Sequence, residues 1–502
     1  MSETVLVVGA GIGGLCTALT LAATGRAITL LERDGPPPGD DPDLVFQDWR
    51  HTGVGQLRQS HAFLARMRKM FKRDHPQLLE DLLASGVREL PFESMLTEAQ
   101  LGSYRPDAGD AELTIITSRR TTLELVMRRY VGTLPNVTIR PDFLVRRLVT
   151  EISEDGVVDV RGVSGECGGE QIVLEADVII DCSGKSGFLI DQIKEESAHF
   201  AEEQESSGIL YFTLHYRLKP GMEEPPRIGN PPATGDLGFL KFGAFPGDNG
   251  CFSITIAVPD VEMELRKAIL DPDFFHNLTL QLPGLVPWTN ADRSEPVGRV
   301  HGMGDLVSRW RDVVVDGKPA ARGYFALGDT LVRTNPLYGR GCSFAAASAQ
   351  LLRSTLEESA DRTARSLAYH KRLHEELRPY YINQRTQDRS AIKRARQALT
   401  PGYKKSFRAR LIESFFEDGV AIAVRNDVDL LRDAMRGFHM LEHPNKWLGR
   451  PRNLARVFYY WARGKKRNAA AYPPKPGPER TEMLKALSVN FQSDIDRIAQ
   501  GA

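Results

Sequence analysis

The chain has 502 residues, with 65 basic and 65 acidic side chains and a hydrophobic content of 41%, which suits two or three globular domains with sizeable cores. A formal net charge of +0 argues against bulk electrostatic capture of nucleic acid. The five cysteines (Cys16, Cys167, Cys182, Cys251 and Cys342) are scattered without Cys-x-x-Cys spacing, so neither a disulfide scaffold nor a metal site is expected.

Met1 leads almost directly into the apolar run Val5-Leu6-Val7-Val8, and no apolar run approaches about 18 residues. The expectation is a cytoplasmic chain with neither signal peptide nor transmembrane segment. The run enters Gly9-Ala10-Gly11-Ile12-Gly13-Gly14, then a helical stretch, then a second apolar run that ends on Glu32. Gly9 suits a tight strand-to-helix turn, Gly11 a close approach of backbone to a pyrophosphate, and Gly14 close packing of helix on strand; the helix N-terminus offers free N–H groups to the anion. Glu32 is placed to accept hydrogen bonds from a ribose 2′-OH and to repel a 2′-phosphate. The unit reads as a dinucleotide site, the plainer alternative being a structural glycine turn.

A breaker-rich loop, Gly35-Pro36-Pro37-Pro38, closes this unit. Residues 49–61, with Gly53 and Gly55, suggest a backbone wrapped around a ligand, and the spacing of Met67, Met70 and Phe71 predicts a helix over 62–71. Ser118-Arg119-Arg120-Thr121-Thr122-Leu123-Glu124 reads as a loop entering a second helix. Residues 137–140, 156–161 and 171–174 are predicted as short strands of one meander. Residues 176–181 return to a parallel sheet and end in the turn Cys182-Ser183-Gly184.

Residues 208–218, 238–245 and 251–258 have strand composition, and Pro246-Gly247-Asp248-Asn249-Gly250 has that of a hairpin loop. An inserted antiparallel sheet forming the second wall of a substrate cleft is expected. On it, Tyr211 and His215 share one face and Tyr216 takes the other. Next come Gly328-Asp329-Thr330 and Asn335-Pro336-Leu337-Tyr338-Gly339-Arg340-Gly341-Cys342, with helices from about residue 345. Residues 446–467 are basic around Phe458-Tyr459-Tyr460-Trp461, read as a helix with an aromatic core face and a solvated basic side; a membrane surface or anionic partner is the sharper alternative. Pro473-Pro474-Lys475-Pro476 is a stiff linker before a last short helix.

Together these segments resemble the FAD-dependent monooxygenases of the aromatic-hydroxylase type, which include bacterial polyketide epoxidases. The resemblance spans roughly residues 1–360. It implies a Rossmann-type α/β FAD-binding domain (1–80, 116–190 and 305–360), an inserted antiparallel β-sheet substrate domain (81–115 and 191–304) and a C-terminal helical region (361–502). It implies that Gly9, Gly11, Gly13, Gly14, Glu32 and Arg33 hold the ADP part of FAD, and that Gly328 and Asp329 hold the ribityl chain. Pro336, Gly339, Gly341 and Cys342 then border the flavin ring, where a helix N-terminus faces the negative charge of the reduced pyrimidine. Residues 53–61 resemble the Gly-Val-Pro-Gln-x-Arg-x-x-His segment of the epoxidases, with Gly55 in place of proline, and residues 118–124 resemble the family's Arg-x-x-Leu element. Arg58 and Arg120 are therefore candidate cofactor contacts, solvated or carboxylate-paired arginines being the alternative.

The resemblance implies hydroxylation or epoxidation of an apolar small molecule with O2 through a C4a-hydroperoxyflavin, with NADH or NADPH as electron source. Asp181-Cys182-Ser183-Gly184 stands where the hydroxylases carry Asp-Gly, so reduction is expected either directly or through a separate flavin reductase. Tyr211, His215 and Tyr338 are candidate substrate-lining residues, packed core roles being their plainer reading, and no catalytic triad is present. The halogenase signature Trp-x-Trp-x-Ile-Pro is missing around Trp288. Rival readings are a dehydrogenase or double-bond reductase of the geranylgeranyl-reductase type, and a GDI-like binding protein, against which Gly328-Asp329 argues.

Overall fold

The computed structural model describes residues 3–226, 228, 231–400 and 402–499; Met1, which carried the reading of a short lead into the first strand, lies outside them. Thr4–Val8 (β1) feeds Ile12–Ala22 (α1), and Ala27–Leu31 (β2) follows. Pro42–Asp48 (α2) is capped by Asp41, whose carboxylate accepts from the N–H groups of Asp43 and Leu44. Arg120–Gly132 (α3), Val137–Arg140 (β3) and Val178–Asp181 (β4) complete the N-terminal half.

The inserted sheet comprises Ile209–Leu218 (β5), Thr234–Asp236 (β6), Lys241–Pro246 (β7), Cys251–Pro259 (β8) and Ser294–Met303 (β9). Val307–Asp312 (β10) and Tyr324–Ala326 (β11) lead back to the first domain. The helices Gly341–Glu358 (α4), Arg362–Glu376 (α5), Arg378–Leu399 (α6), Phe407–Ser414 (α7), Val428–Phe438 (α8), Pro451–Arg467 (α9) and Arg480–Ala486 (α10) follow.

Five strands in the order β11-β4-β1-β2-β3 pair in parallel. Val5 to Val8 are all buried, as a central strand covered on both faces requires. α4 packs against α1 through a small-residue stretch in which Ala345, Ala346, Ala347 and Ala349 are buried. The second sheet is antiparallel, in the order β6-β7-β8-β5-β9. One face, built from Phe212, Leu214, Tyr216, Phe252, Ile254 and Ile256, holds its own apolar core.

Two expectations about organisation are corrected. Residues 137–140 are no meander strand: they cross over through α3 and pair in parallel with β2, Ile28 opposite Val137. The meander is Phe143–Ile152, Val158–Cys167 and Glu170–Glu175, and two register shifts in its first pair break the alternation that would have revealed it. The helix read over 62–71 begins at Ala65, because Ala62 and Phe63 pair with Thr117 and Ile116. Residues 92–113 pack on α8, where Phe92, Leu96 and Leu113 meet Leu431, and Arg432 binds Asp110 at 2.6 Å.

Candidate active site

The dinucleotide end is built by steric necessity. Gly9 has φ +98°, and a side chain there would start 2.6 Å from the Cys182 carbonyl oxygen; one on Gly14 would start 1.9 Å from the Gly9 carbonyl. Gly13 faces the Cys182 side chain at 3.7 Å, whereas the nearest atom to a side chain on Gly11 would be Val54 Cγ2 at 3.8 Å. Protein therefore packs against Gly9 and Gly14, while Gly11 leaves room for a ligand. Glu32 is buried and accepts from the N–H of Ala10 at 2.7 Å and of Asp34 at 3.0 Å. Arg33 is half-exposed, donating to Thr52 Oγ1 at 2.8 Å.

A buried charge network joins this end to α3. His51 Nε2 lies 3.5 Å from Glu32 Oε2, and its Nδ1 3.2 Å from Glu124 Oε2. Arg128 reaches Glu32 at 3.3 Å, and Arg120 donates to Glu124 at 2.6 Å. Burial alone would lower His51, but the Glu124 and Glu32 carboxylates outweigh it and hold the imidazole at about 9. Burial would likewise raise Glu32; His51 and Arg128 bring it to about 2. Burial would lower Arg120, but Glu124 outweighs it, and Cys342 and Asp329 near the start of the helix Gly341–Glu358 add to the rise.

The other end lies at the start of α4. Gly328 has φ +60°, and Asp329 accepts from Gln56 Nε2 at 3.3 Å. Asn335 caps the turn Pro336–Tyr338 by accepting from the N–H of Leu337 at 3.1 Å. Gly339 has φ +63°, and a side chain there would start 3.2 Å from the Ala62 carbonyl; the corresponding position on Gly341 is 4.0 Å from Asp329 Oδ1. α4 has no side-chain cap and no acid in its first turn, so its N–H donors are free to meet a ligand's negative charge. Cys342 sits there, but burial lifts its thiol to about 11, which removes it as a reactive thiolate. The Gly11 opening, the buried Glu32 and the uncapped α4 fit FAD at both ends.

The inserted sheet meets the strap of residues 46–61. Tyr211, Thr213 and His215 share one face, opposite Tyr216, which packs in the sheet's core. His215 Nε2 lies 3.1 Å from the Arg58 carbonyl oxygen, and burial pushes its pKa down to about 3. The rest of this face is polar rather than apolar: Thr213 donates to Gln59 at 2.7 Å, and Ser60 lies 2.7 Å from the hydroxyls of both Ser253 and Thr255. Arg58 donates to the carbonyls of Phe46, Gln47 and Trp49 at the end of α2. A cavity of about 1170 Å³ lies between strap residues 46–59 and residues 297–302 of β9, with Phe46, Trp49, Leu57, Arg58, Arg299 and His301 in its wall.

Several residues at this junction escaped sequence reasoning. Tyr211 donates to Asn335 Oδ1, and Asn335 Nδ2 donates to Asp388 of α6 at 2.8 Å, so the sheet, the Pro336–Tyr338 turn and the C-terminal helix share one buried chain. Burial raises Asp388 to about 6. Tyr338 lies beside it, its ring 5.3 Å from the Arg340 guanidinium, with burial lifting its hydroxyl to about 12. Arg119 pairs with Asp248 of the hairpin loop at 2.6 Å and with Asp43 of α2 at 2.6 Å. At the end of β4, where Asp-Gly is missing, Asp181 accepts from Tyr324 at 2.7 Å and the Ser183 N–H at 2.9 Å. Away from the cofactor path, Asp312, His370 and His374 bring possible metal-ligand atoms within 4.8 Å of one another, but Asp312 Oδ1 is engaged by His374 at 2.6 Å and Trp310 at 2.8 Å.

Comparison with known proteins agrees with this geometry. Residues 7–72 match the family of NAD(P)-binding Rossmann-like domains. Protein Rv3254 of Mycobacterium tuberculosis is 27% identical over 370 residues, covering 70% of this chain and 72% of that protein. Kynurenine 3-monooxygenase of Salinispora tropica is 26% identical over 385 residues, covering 73% and 75%. Among solved structures, the flavin-dependent halogenase CmlS superposes with a TM-score of 0.59 at 17% identity, over 91% of this chain and 77% of the other, which is a likeness of fold. The chain thus carries an NAD(P)-binding Rossmann-like domain, is similar in sequence to a kynurenine 3-monooxygenase over most of its length, and shares its fold with a flavin-dependent enzyme.

Proposed function

We propose that this chain is an FAD-dependent monooxygenase that hydroxylates or epoxidises a small molecule with an apolar body, using O2 and electrons from NADH or NADPH, taken directly or through a separate flavin reductase. The observation that carries it is the convergence of Glu32, Arg120, Asp329 and the uncapped α4 N-terminus on one path, with Tyr211 of the second sheet bonded to Asn335 at its end. FAD, when bound, supplies the redox chemistry and the activation of oxygen. Glu32 receives the ribose hydroxyls, Asp329 the ribityl chain, and the α4 N–H groups stabilise negative charge on the ring edge. Arg120, held by Glu124, keeps a positive field along the path. The strap of residues 46–61, whose Gln56 reaches Asp329, would shield the bound cofactor from water. Tyr211 and Tyr338 border the reacting space, and His215, uncharged at neutral pH, shapes its wall.

The test is the visible spectrum of the purified protein, followed by turnover of candidate substrates under labelled O2. A yellow protein that places labelled oxygen in its product is expected. Unchanged product formation without oxygen would overturn the oxygenase in favour of the reductase reading.

A further inference from the structure

Exposed apolar side chains are scattered singly over most of this surface, which is ordinary. One face is different. Phe407, 74% exposed, Leu411, Ile412 and Phe416 project at helical spacing from α7 and the π-helical turn Phe415–Val420, and Phe458 and Tyr459, 59% exposed, project from α9. The two segments adjoin: the Phe415 ring lies 5.5 Å from those of Phe416 and Phe458 and 5.4 Å from that of Trp461. The aromatic core face expected of α9 is thus only partly buried. Val457 is buried and Tyr460 packs against its cluster, while Phe458 and Tyr459 face out.

Cations outnumber acids around it: Glu413 and Asp418 of this segment are paired with Lys405 and Lys465, and Glu417 is exposed beside Phe416. α9 contains no acidic residue, and Lys404, Arg408, Arg410, Arg452, Lys466 and Arg467 form no ion pair among the described residues. A second copy seated on this face would bring those cations against one another. A surface of anionic headgroups would pair with them while its acyl boundary took the apolar side chains.

We propose that the α7–α9 face seats the protein on an anionic lipid surface. No described helix is long and apolar enough to cross a membrane, so the contact is peripheral. The proposal stands on the exposed face and its cations alone, independent of the activity proposed above. It gives that activity a consequence: an apolar substrate partitions into the phase on which the protein rests.

The test is sedimentation of the full-length, FAD-loaded protein with vesicles of phosphatidylglycerol and phosphatidylcholine, against vesicles of phosphatidylcholine alone. The protein should sediment with the anionic vesicles and be released by high salt. The double variant Phe407→Ser/Leu411→Ser should weaken partitioning roughly tenfold or more, and Lys404→Gln and Arg408→Gln about fivefold each. Their melting temperatures should not move, because all four side chains project from the surface. Failure to sediment with anionic vesicles, or sedimentation unaffected by these substitutions, would overturn the proposal. So would a wild-type dimer, seen by light scattering, that the same substitutions split in the absence of lipid.

Discussion

The imidazole of His51 lies 3.5 Å from the Glu32 carboxylate, the group proposed to receive the cofactor ribose. It is also 3.2 Å from Glu124, so a cation in the strap bridges two buried acids. With the folded His51 at about 9, above its ordinary 6.5, its contribution to stability is complete below about pH 6.5 and fades as pH rises through 9. Glu32 and Glu124, both at about 2, contribute above about pH 4.5 and lose that contribution as pH falls through 2. His51→Gln should cost up to ~3 kcal/mol at pH 7, since Glu32 and Glu124 lose the cation between them and keep only Arg128 and Arg120, and should weaken FAD binding. Melting curves across pH would show the loss. An alkaline limb identical to wild type would sink the assignment.

Asp388 titrates in the opposite sense from a paired carboxylate. Burial raises it to about 6, so between about pH 4 and 6 the folded protein holds a proton that the unfolded chain releases. Stability should fall over that window by up to about 3 kcal/mol, and Asp388→Asn should flatten the curve. Tyr211→Phe, which cuts the link to Asn335, should retain FAD but lower turnover roughly tenfold, on the order of one hydrogen bond. Steady-state rates together with flavin content of the purified variant test this.

Gly14 and Gly11 should fail differently. A methyl group on Gly14 meets backbone 1.9 Å away, so Gly14→Ala should not yield folded protein. Gly11→Ala meets nothing in the protein nearer than 3.8 Å. Its apoprotein should melt within ~0.5 kcal/mol of wild type, yet bind FAD at least about tenfold more weakly if backbone and pyrophosphate meet there. Fluorescence titration of the apoprotein with FAD gives the answer, and unchanged affinity would remove Gly11 from the site.

Arg119 and Asp248 join α3 to the hairpin of the inserted sheet in a fully buried pair. Asp248→Asn should destabilise by ~1–3 kcal/mol, because the buried Arg119 guanidinium loses a charged acceptor and keeps Asp43. Denaturant titration would check it. A loss below ~1 kcal/mol would show that the two domains do not depend on this contact.

What was legible in the sequence was local. The glycine turn with Glu32 announces itself because only glycine fits at Gly9 and Gly14, and the hairpin at residues 246–250 because positive φ at Asn249 and Gly250 requires such residues. The cofactor reading of residues 328–342 needed the family resemblance, since a Gly-Asp pair has no spacing of its own. The network around His51, the Asn335–Asp388 contact and the Arg119–Asp248 pair were invisible, because each joins residues far apart in the chain that only the fold brings together. Arg58 shows the opposite limit: a motif position suggested a cofactor contact, whereas its donors reach the carbonyls that end α2.

Met483 and Leu484 of α10 fill the core beneath the inserted sheet, and Arg480 clamps Glu262 through two bonds of 2.7 Å. The remaining residues of that core lie between 212 and 300, so the sheet leaves the ribosome long before the side chains that seal it. At about 5–20 residues per second the interval is on the order of ten seconds or more. During synthesis the nascent sheet must wait with an open apolar seam, and a chain cut short by its last two dozen or so residues keeps every cofactor motif yet never closes that seam.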